Sequence, residues 1–300
     1  MSENATSPGL NKNLIILHFT VFIWGFTSIL GELISIAAVQ LVWYRVMIAS
    51  VSLFLYFKFN KTSYKISRKT ILQLVSTGAL VGAHWILFFG AIKLSTVSVT
   101  LVCLSSITLF TAIFEPLINK TRISKLEIIS GALIVTGIFL IFEFETKYTK
   151  GIIFGLLSAI CGSLFPIINS RQVKRTAAPV ITFYELSGAF VWISIYLFFT
   201  RGFGEAMNLK ATDIGYLLIL GTVCTSLAYV AGVSVMKEFS AFKVALITNL
   251  EPVYGIIMAS IFFGDMHKLN PGFWVGAAVI LSTIFLFPFA KKQISRIKNQ

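Results

Sequence analysis

Ten apolar runs, each near the length a helix needs to cross a bilayer, follow one another with only short polar gaps between them. They cover 14–30, 41–57, 71–92, 97–118, 128–142, 152–169, 180–200, 214–236, 242–263 and 272–289. About 20 residues rising roughly 1.5 Å each span the hydrocarbon core. Inside it a backbone must satisfy its own hydrogen bonds, which a helix does within one segment. The sequence therefore predicts an all-α integral membrane protein of ten transmembrane helices. Composition agrees, with 56% of the 300 residues apolar and 12% charged, against roughly 45–50% and 25% in soluble domains. The first run is longer than a signal-peptide core and only Lys12 precedes it, so it is read as a helix.

The formal charge of +13 would suit nucleic-acid binding, but the basic residues sit in the gaps between runs. Counted by side, 17 Lys and Arg fall with the N-terminus and six fall opposite. The positive-inside rule then places both termini in the cytoplasm, in a plasma (inner) membrane, and no nucleic-acid partner is expected. The two halves resemble each other. Tyr44, Ala49, Val51, Tyr56 and Phe59 recur as Tyr184, Ala189, Val191, Tyr196 and Phe199 without gaps, and the segment starting at Gly131 matches that starting at Gly276. Five helices per half is an odd number, so the second copy would enter from the opposite side, as an inverted repeat does. The expected organisation is a cytoplasmic tail (1–13), a first repeat (14–147), a second repeat (148–290) and a basic cytoplasmic tail (291–300).

The ninth run carries Glu251 and Pro252 side by side near its middle. A charge there costs on the order of 2.5–3.5 kcal/mol on insertion scales, so Glu251 should face a cavity or a partner. Pro252 withholds a helix hydrogen bond from the Thr248 carbonyl or kinks the helix. Thr248, Glu251, Gly255 and Ala259 form one stripe; Ser105, Thr108, Ala112 and Glu115 form its counterpart in the fourth run. Ser105, Thr108, Asn249 and Glu251 are candidate cavity residues, while Glu115 suits an ion pair with Lys120 or Arg122. His84 reads either as a proton relay or as a hydrogen-bonded core histidine. Trp24, Trp85 and Tyr229 are candidate aromatic walls. Arg45 and Glu185 occupy equivalent positions in the two halves. Arg45 is placed near Glu32, Glu185 near Arg171, Lys174 or Arg175, and both read as gate or structural ion pairs. Pro166, with Asn169, marks a second helix break.

Several of these residues carry a resemblance. Trp24-Gly25, Trp43-Tyr44-Arg45-Val46, the segment from Phe89 to Ser95, Leu250-Glu251-Pro252-Val253 and Phe263-Gly264-Asp265 are similar to the drug/metabolite transporter superfamily, in its ten-helix form with two EamA-type repeats. Two departures stand out: Ser105-Ser106 replaces a common Leu-x-Pro, and Asn119 and Asp265 stand where Glu is frequent. The resemblance implies a basket-like bundle around a central cavity, and export of amino acids or related metabolites. A phosphate-cradling Gly-x-x-x-x-Gly-Lys loop and a nucleophile–base set are not recognisable, so neither ATP drive nor enzyme activity is expected. No cofactor or metal is expected. The expected partners are a small-molecule solute and the lipid bilayer, with protons the candidate coupling ion and a monomer or weak dimer the expected state. The alternatives are a non-transporting sensor or scaffold of the same fold, and a channel.

The charge count yields a topology test. Cysteine labelling in intact cells is expected to find positions 65, 122 and 174 inside and 147 and 268 outside; external labelling at position 65 contradicts the orientation.

Overall fold

The computed structural model describes residues 11–121, 125–144, 146–264 and 270–298. Arg122, Asp265 and Lys268 lie outside these, as do residues 1–10. Thirteen α-helices and no strands occur among the described residues. The first half holds α1 (Lys12–Leu33), α2 (Ala38–Phe59), α3 (Arg68–Leu94), α4 (Val97–Leu104), α5 (Ile107–Asn119) and α6 (Lys125–Phe144). The second holds α7 (Thr149–Gln172), α8 (Ala178–Phe199), α9 (Ala211–Gly221), α10 (Ala228–Val235), α11 (Ala241–Thr248), α12 (Leu250–Phe263) and α13 (Pro271–Lys298). Side-chain oxygens of Ser67, Thr96 and Ser240 accept the N–H groups of Thr70, Val99 and Lys243, fixing the starts of α3, α4 and α11.

Eight helical segments among the described residues are long and apolar enough to cross a membrane. Three of them are interrupted. Between α4 and α5 the chain turns at Ser105-Ser106, whose hydroxyls donate to the carbonyls of Leu101 (3.2 Å) and Cys103 (2.6 Å). Between α9 and α10 the helix widens to a π-helical segment, Thr222–Leu227. Between α11 and α12 it breaks at Asn249, just before Pro252. The remaining two apolar runs form α6 and α13, which lie along one another; the apolar part of α13 is the shorter Pro271–Phe287. The basic segment from 291 continues α13 as helix to Lys298.

Helix neighbours follow one plan in both halves. α3 lies against α7 and α8, while α9 and α10 lie against α1 and α2. α1 packs on α12, as α7 packs on α4 and α5. α2 and α8 end alike: Lys61 and Arg201 turn through the left-handed region at φ 50 and 54. After them Thr62 N–H reaches the Phe57 carbonyl (3.1 Å) and Gly202 N–H that of Leu197 (2.8 Å). The hydroxyl of Tyr44 donates to the Met207 carbonyl (3.0 Å), and that of Tyr184 to the Tyr64 carbonyl (3.2 Å).

Both ends of the bundle are tied by polar contacts. At one end the Asp213 carboxylate accepts the Ser35 N–H (2.9 Å) and hydroxyl (2.7 Å), and Lys93 donates to the carbonyls of Glu32 (3.1 Å) and Ile34 (2.7 Å). At the other, Arg171 binds the Ile118 carbonyl (2.9 Å) and the Asn119 side chain, and Glu115 accepts the Phe242 N–H (2.9 Å) at the start of α11. Glu115 thus caps a helix instead of pairing with Lys120.

The α3–α8 crossing depends on close backbone approach. A methyl group at Gly188 would lie 2.5 Å from the Val75 carbonyl oxygen and 2.7 Å from its Cα, and one at Gly78 closer still to the Glu185 carbonyl. Backbone cannot swing aside, so Gly188→Ala is expected to cost about 1–3 kcal/mol and lower the thermal unfolding midpoint. Gly215, with nothing within 4 Å of its added methyl, is the control: Gly215→Ala should leave the midpoint unchanged or raise it slightly.

Candidate functional site

A central cavity of about 820 Å³ of unfilled space, open mouth included, lies among α1, α2, α3, α4, α5, α7, α10, α11 and α12. Trp24, Trp85, Phe88, Phe165 and Tyr229 supply aromatic surface to its wall, and Arg45, His84, Asn169 and Glu251 supply polar groups. A mostly apolar wall with few fixed polar groups is the usual form of a small-molecule site.

Arg45 is the largest side chain among those fully buried, at 1% exposure. It does not pair with Glu32 at the end of the bundle. Its Nε donates to Thr225 Oγ1 (2.6 Å), and its guanidinium lies 3.9 Å over the Trp85 ring. Thr225 belongs to the π-helical segment and donates its own proton to the Leu220 carbonyl (2.5 Å), which turns its lone pairs toward Arg45. A π-helical turn inside an α-helix is frequent at functional sites. The guanidinium nitrogen Nη1 is buried without a hydrogen-bond partner.

Glu185 is likewise drawn inward, away from Arg171, Lys174 and Arg175. It is 0% exposed, and its Oε2 accepts from the Tyr229 hydroxyl (2.7 Å) and from Asn169 Nδ2 (3.0 Å). Trp85 meets Tyr229 edge to face with ring centroids 5.9 Å apart. Arg45, Trp85, Tyr229, Glu185 and Asn169 therefore form one connected chain through α2, α3, α10, α8 and α7. Arg45 and Glu185 both reach the same α9–α10 segment four residues apart, at Thr225 and Tyr229.

His84 is hydrogen-bonded in the core and also lines the cavity. Its Nδ1 lies 2.9 Å from the Ser158 carbonyl oxygen, which can only accept, so Nδ1 carries the proton. The ring lines the cavity and packs against Phe165 (5.5 Å). Glu251, 7% exposed, lines the cavity from α12, and among the described residues its carboxylate has no hydrogen-bond or ion-pair partner.

The fourth and ninth runs behave differently from expectation. Thr108 accepts from Asn249 Nδ2 (2.5 Å) and donates to the Ala245 carbonyl (3.2 Å), so the two residues fasten α5 to the α11–α12 break. Ser105 is spent on the Leu101 carbonyl. None of the three lines the cavity, because their polar groups satisfy the interrupted helices. Pro166 does not break α7, which runs on from Thr149 to Gln172. Both prolines nevertheless act at the cavity: they cannot donate to the carbonyls of Gly162 and Thr248, and both of those residues line it. The sequence reading missed Thr225 and the Asn169–Glu185–Tyr229 contact. Hydroxyls at Thr222, Thr225 and Ser226 inside an apolar run were the available signal for the first. Among the described residues no cluster of His, Cys, Asp and Glu is arranged to hold a metal.

Comparison with known proteins gives this architecture a place. An Escherichia coli K12 protein called an uncharacterized inner membrane transporter, YhbE, is 25% identical over 244 residues, 76% of this chain and 72% of that one. An uncharacterized transporter of Clostridium kluyveri is 24% identical over 187 residues, so the match spans 59% of this chain and only 58% of that relative. A solved crystal structure with 12% sequence identity shares the fold, at a TM-score of 0.68 over 94% of this chain and 99% of the other. The profile of the EamA-like transporter family matches twice, over residues 12–143 and 149–292. The chain, a multi-pass membrane protein, belongs to the EamA-like transporter family.

Proposed function

We propose that this protein is a secondary transporter that moves amino acids or closely related metabolites out of the cell across the plasma (inner) membrane, by alternating access. The observation that carries this reading is the central cavity: aromatic walls, with a buried Arg45 and a buried Glu251 that both line it without pairing. An apolar wall holds most of a small solute's surface, and placed charges orient its polar end.

Ten spans, arranged as two inverted halves of five, supply the moving parts. The double match of one family profile supports this arrangement. So do the matching turns at Lys61 and Arg201, the interruptions at Ser105-Ser106 and Asn249, and the shared plan of helix neighbours. Discontinuous helices in corresponding positions of two halves are a pointer to a transporter's binding site. The cavity reaches Met236, beside the 237–240 loop that the charge count assigns to the cytoplasm. In this reading the cavity opens inward beside Met236, the Asp213–Ser35 and Lys93 contacts hold the outer end, and the Arg171 and Glu115 contacts flank the cytoplasmic mouth. Rocking of one half against the other would open the outer end and close the cytoplasmic one.

Protons are the proposed coupling ion, with Glu251 as the group for which proton and solute compete. Comparison of metabolites released by cells with and without the protein is expected to show accelerated export of one or a few amino acids. Unchanged release across all of them contradicts the reading. In proteoliposomes, Glu251→Gln is expected to abolish pH-gradient-driven uptake while leaving the protein folded in the membrane. Undiminished gradient-driven transport by that variant would place the coupling group elsewhere.

A further inference from the structure

Arg45 and Glu251 present an unusual arrangement for two opposite charges in one buried cavity. Both line the same space, yet no ion pair joins them. Arg45 is prevented from reaching over by its own framework. Nε is tied to Thr225 in the π-helical segment, and the guanidinium plane is stacked 3.9 Å over Trp85. That leaves Nη1 buried and without a partner. A buried donor on a charged group is expensive to leave unpaired, so a site built this way is completed by an acceptor brought from outside.

Glu251 is arranged for the complementary task. Its carboxylate lines the same cavity with no partner among the described residues. The same wall holds carbonyls released from one helix hydrogen bond: Pro252 and Pro166 cannot donate to those of Thr248 and Gly162, and both of those residues line the cavity. An ammonium group has three donors and no acceptor, which matches a carboxylate supplemented by free carbonyls. The hydroxyl and amide groups of Ser105, Thr108 and Asn249 are unavailable, being bonded to one another or to the backbone.

Building on the transporter reading above, we infer that the cavity recognises a zwitterion end-on, with the solute's carboxylate on Arg45 and its ammonium on Glu251. The guanidinium suits the first role because it holds its donors in a planar fork that matches a carboxylate. The aromatic wall of Trp24, Phe88 and Phe165 is left for the side chain. Recognition by both ends disfavours solutes that lack either: an amino acid amide offers the guanidinium one neutral acceptor in place of a two-oxygen carboxylate, and a decarboxylated amine offers none.

The test is thermal stabilisation of the purified protein in detergent by each of the twenty amino acids, followed by the amide and the decarboxylated amine of the best stabiliser. Removing a hydrogen bond to a charged group costs about 1.5–3 kcal/mol, so the amide and the amine are each expected to bind about ten- to a hundredfold more weakly. Because this comparison uses the unaltered protein, it stands even if Arg45 variants fail to insert. Where they insert, Arg45→Gln should lose the amino acid, and Arg45→Lys should recover part of the binding. Glu251→Gln should weaken the amino acid while leaving its deaminated carboxylic acid little changed. Equal stabilisation by amino acid and amide, undiminished binding by Arg45→Gln, or no stabilisation by any of the twenty overturns the inference. The export reading fails separately: a protein that binds amino acids in this way but moves none of them retains the inference and loses the transport assignment.

Discussion

A guanidinium held inside an apolar helix bundle is the constraint on which the rest of this structure depends. A charge at that depth is costly unless it meets a partner or a water-filled space. Arg45 meets both conditions in part. Thr225 takes one donor, Trp85 covers one face, and Arg45 borders the cavity with Nη1 buried and unpaired. The local widening of the α9–α10 helix brings Thr225 within reach, and the Thr225 hydroxyl is turned the right way because it donates to Leu220. Trp85 in turn is held by Tyr229, and Tyr229 by Glu185. Fixing one arginine therefore orders side chains from five helices around one space.

The two halves supply this network with groups of different kinds. Arg45 on α2 and Glu185 on α8, paired by the sequence alignment of the halves, both turn toward the middle of the bundle. Opposite charges there give the protein a positive group at the cavity and a carboxylate sealed behind Tyr229 and Asn169.

Much of the architecture was legible because lipid imposes a simple rule on sequence. Apolar runs of bilayer length became helices, and the Glu251-Pro252 pair located the ninth run's interruption to within three residues. Trp24, Trp85, Tyr229, His84 and Glu251 were legible as cavity residues, each being aromatic or titratable in an otherwise aliphatic stretch. Arg45 was not, because counting residues along a helix gives depth but not direction, and Glu32 lay at a plausible depth. Ser105, Thr108 and Asn249 misled for a related reason. A hydroxyl in an apolar run signals a satisfied polar contact, but sequence does not say whether its partner is a solute or the next helix. The turn at Ser105-Ser106 has no proline to announce it; its serines bond back to Leu101 and Cys103, a local competition with the helix that only the structure reveals.

The central claim is that a water-filled cavity reaches from the cytoplasmic side to the level of Arg45 and Glu251. Cysteine accessibility measures this directly. Thr248→Cys, at the cavity wall, and Ile261→Cys, 75% exposed on the outer face of α12, would be compared in a background where Cys103, Cys161 and Cys224 are replaced. A membrane-impermeant cationic thiol reagent applied to inside-out vesicles is predicted to modify position 248 rapidly and position 261 not at all. Equal protection of both positions, or faster reaction at 261, would contradict the account.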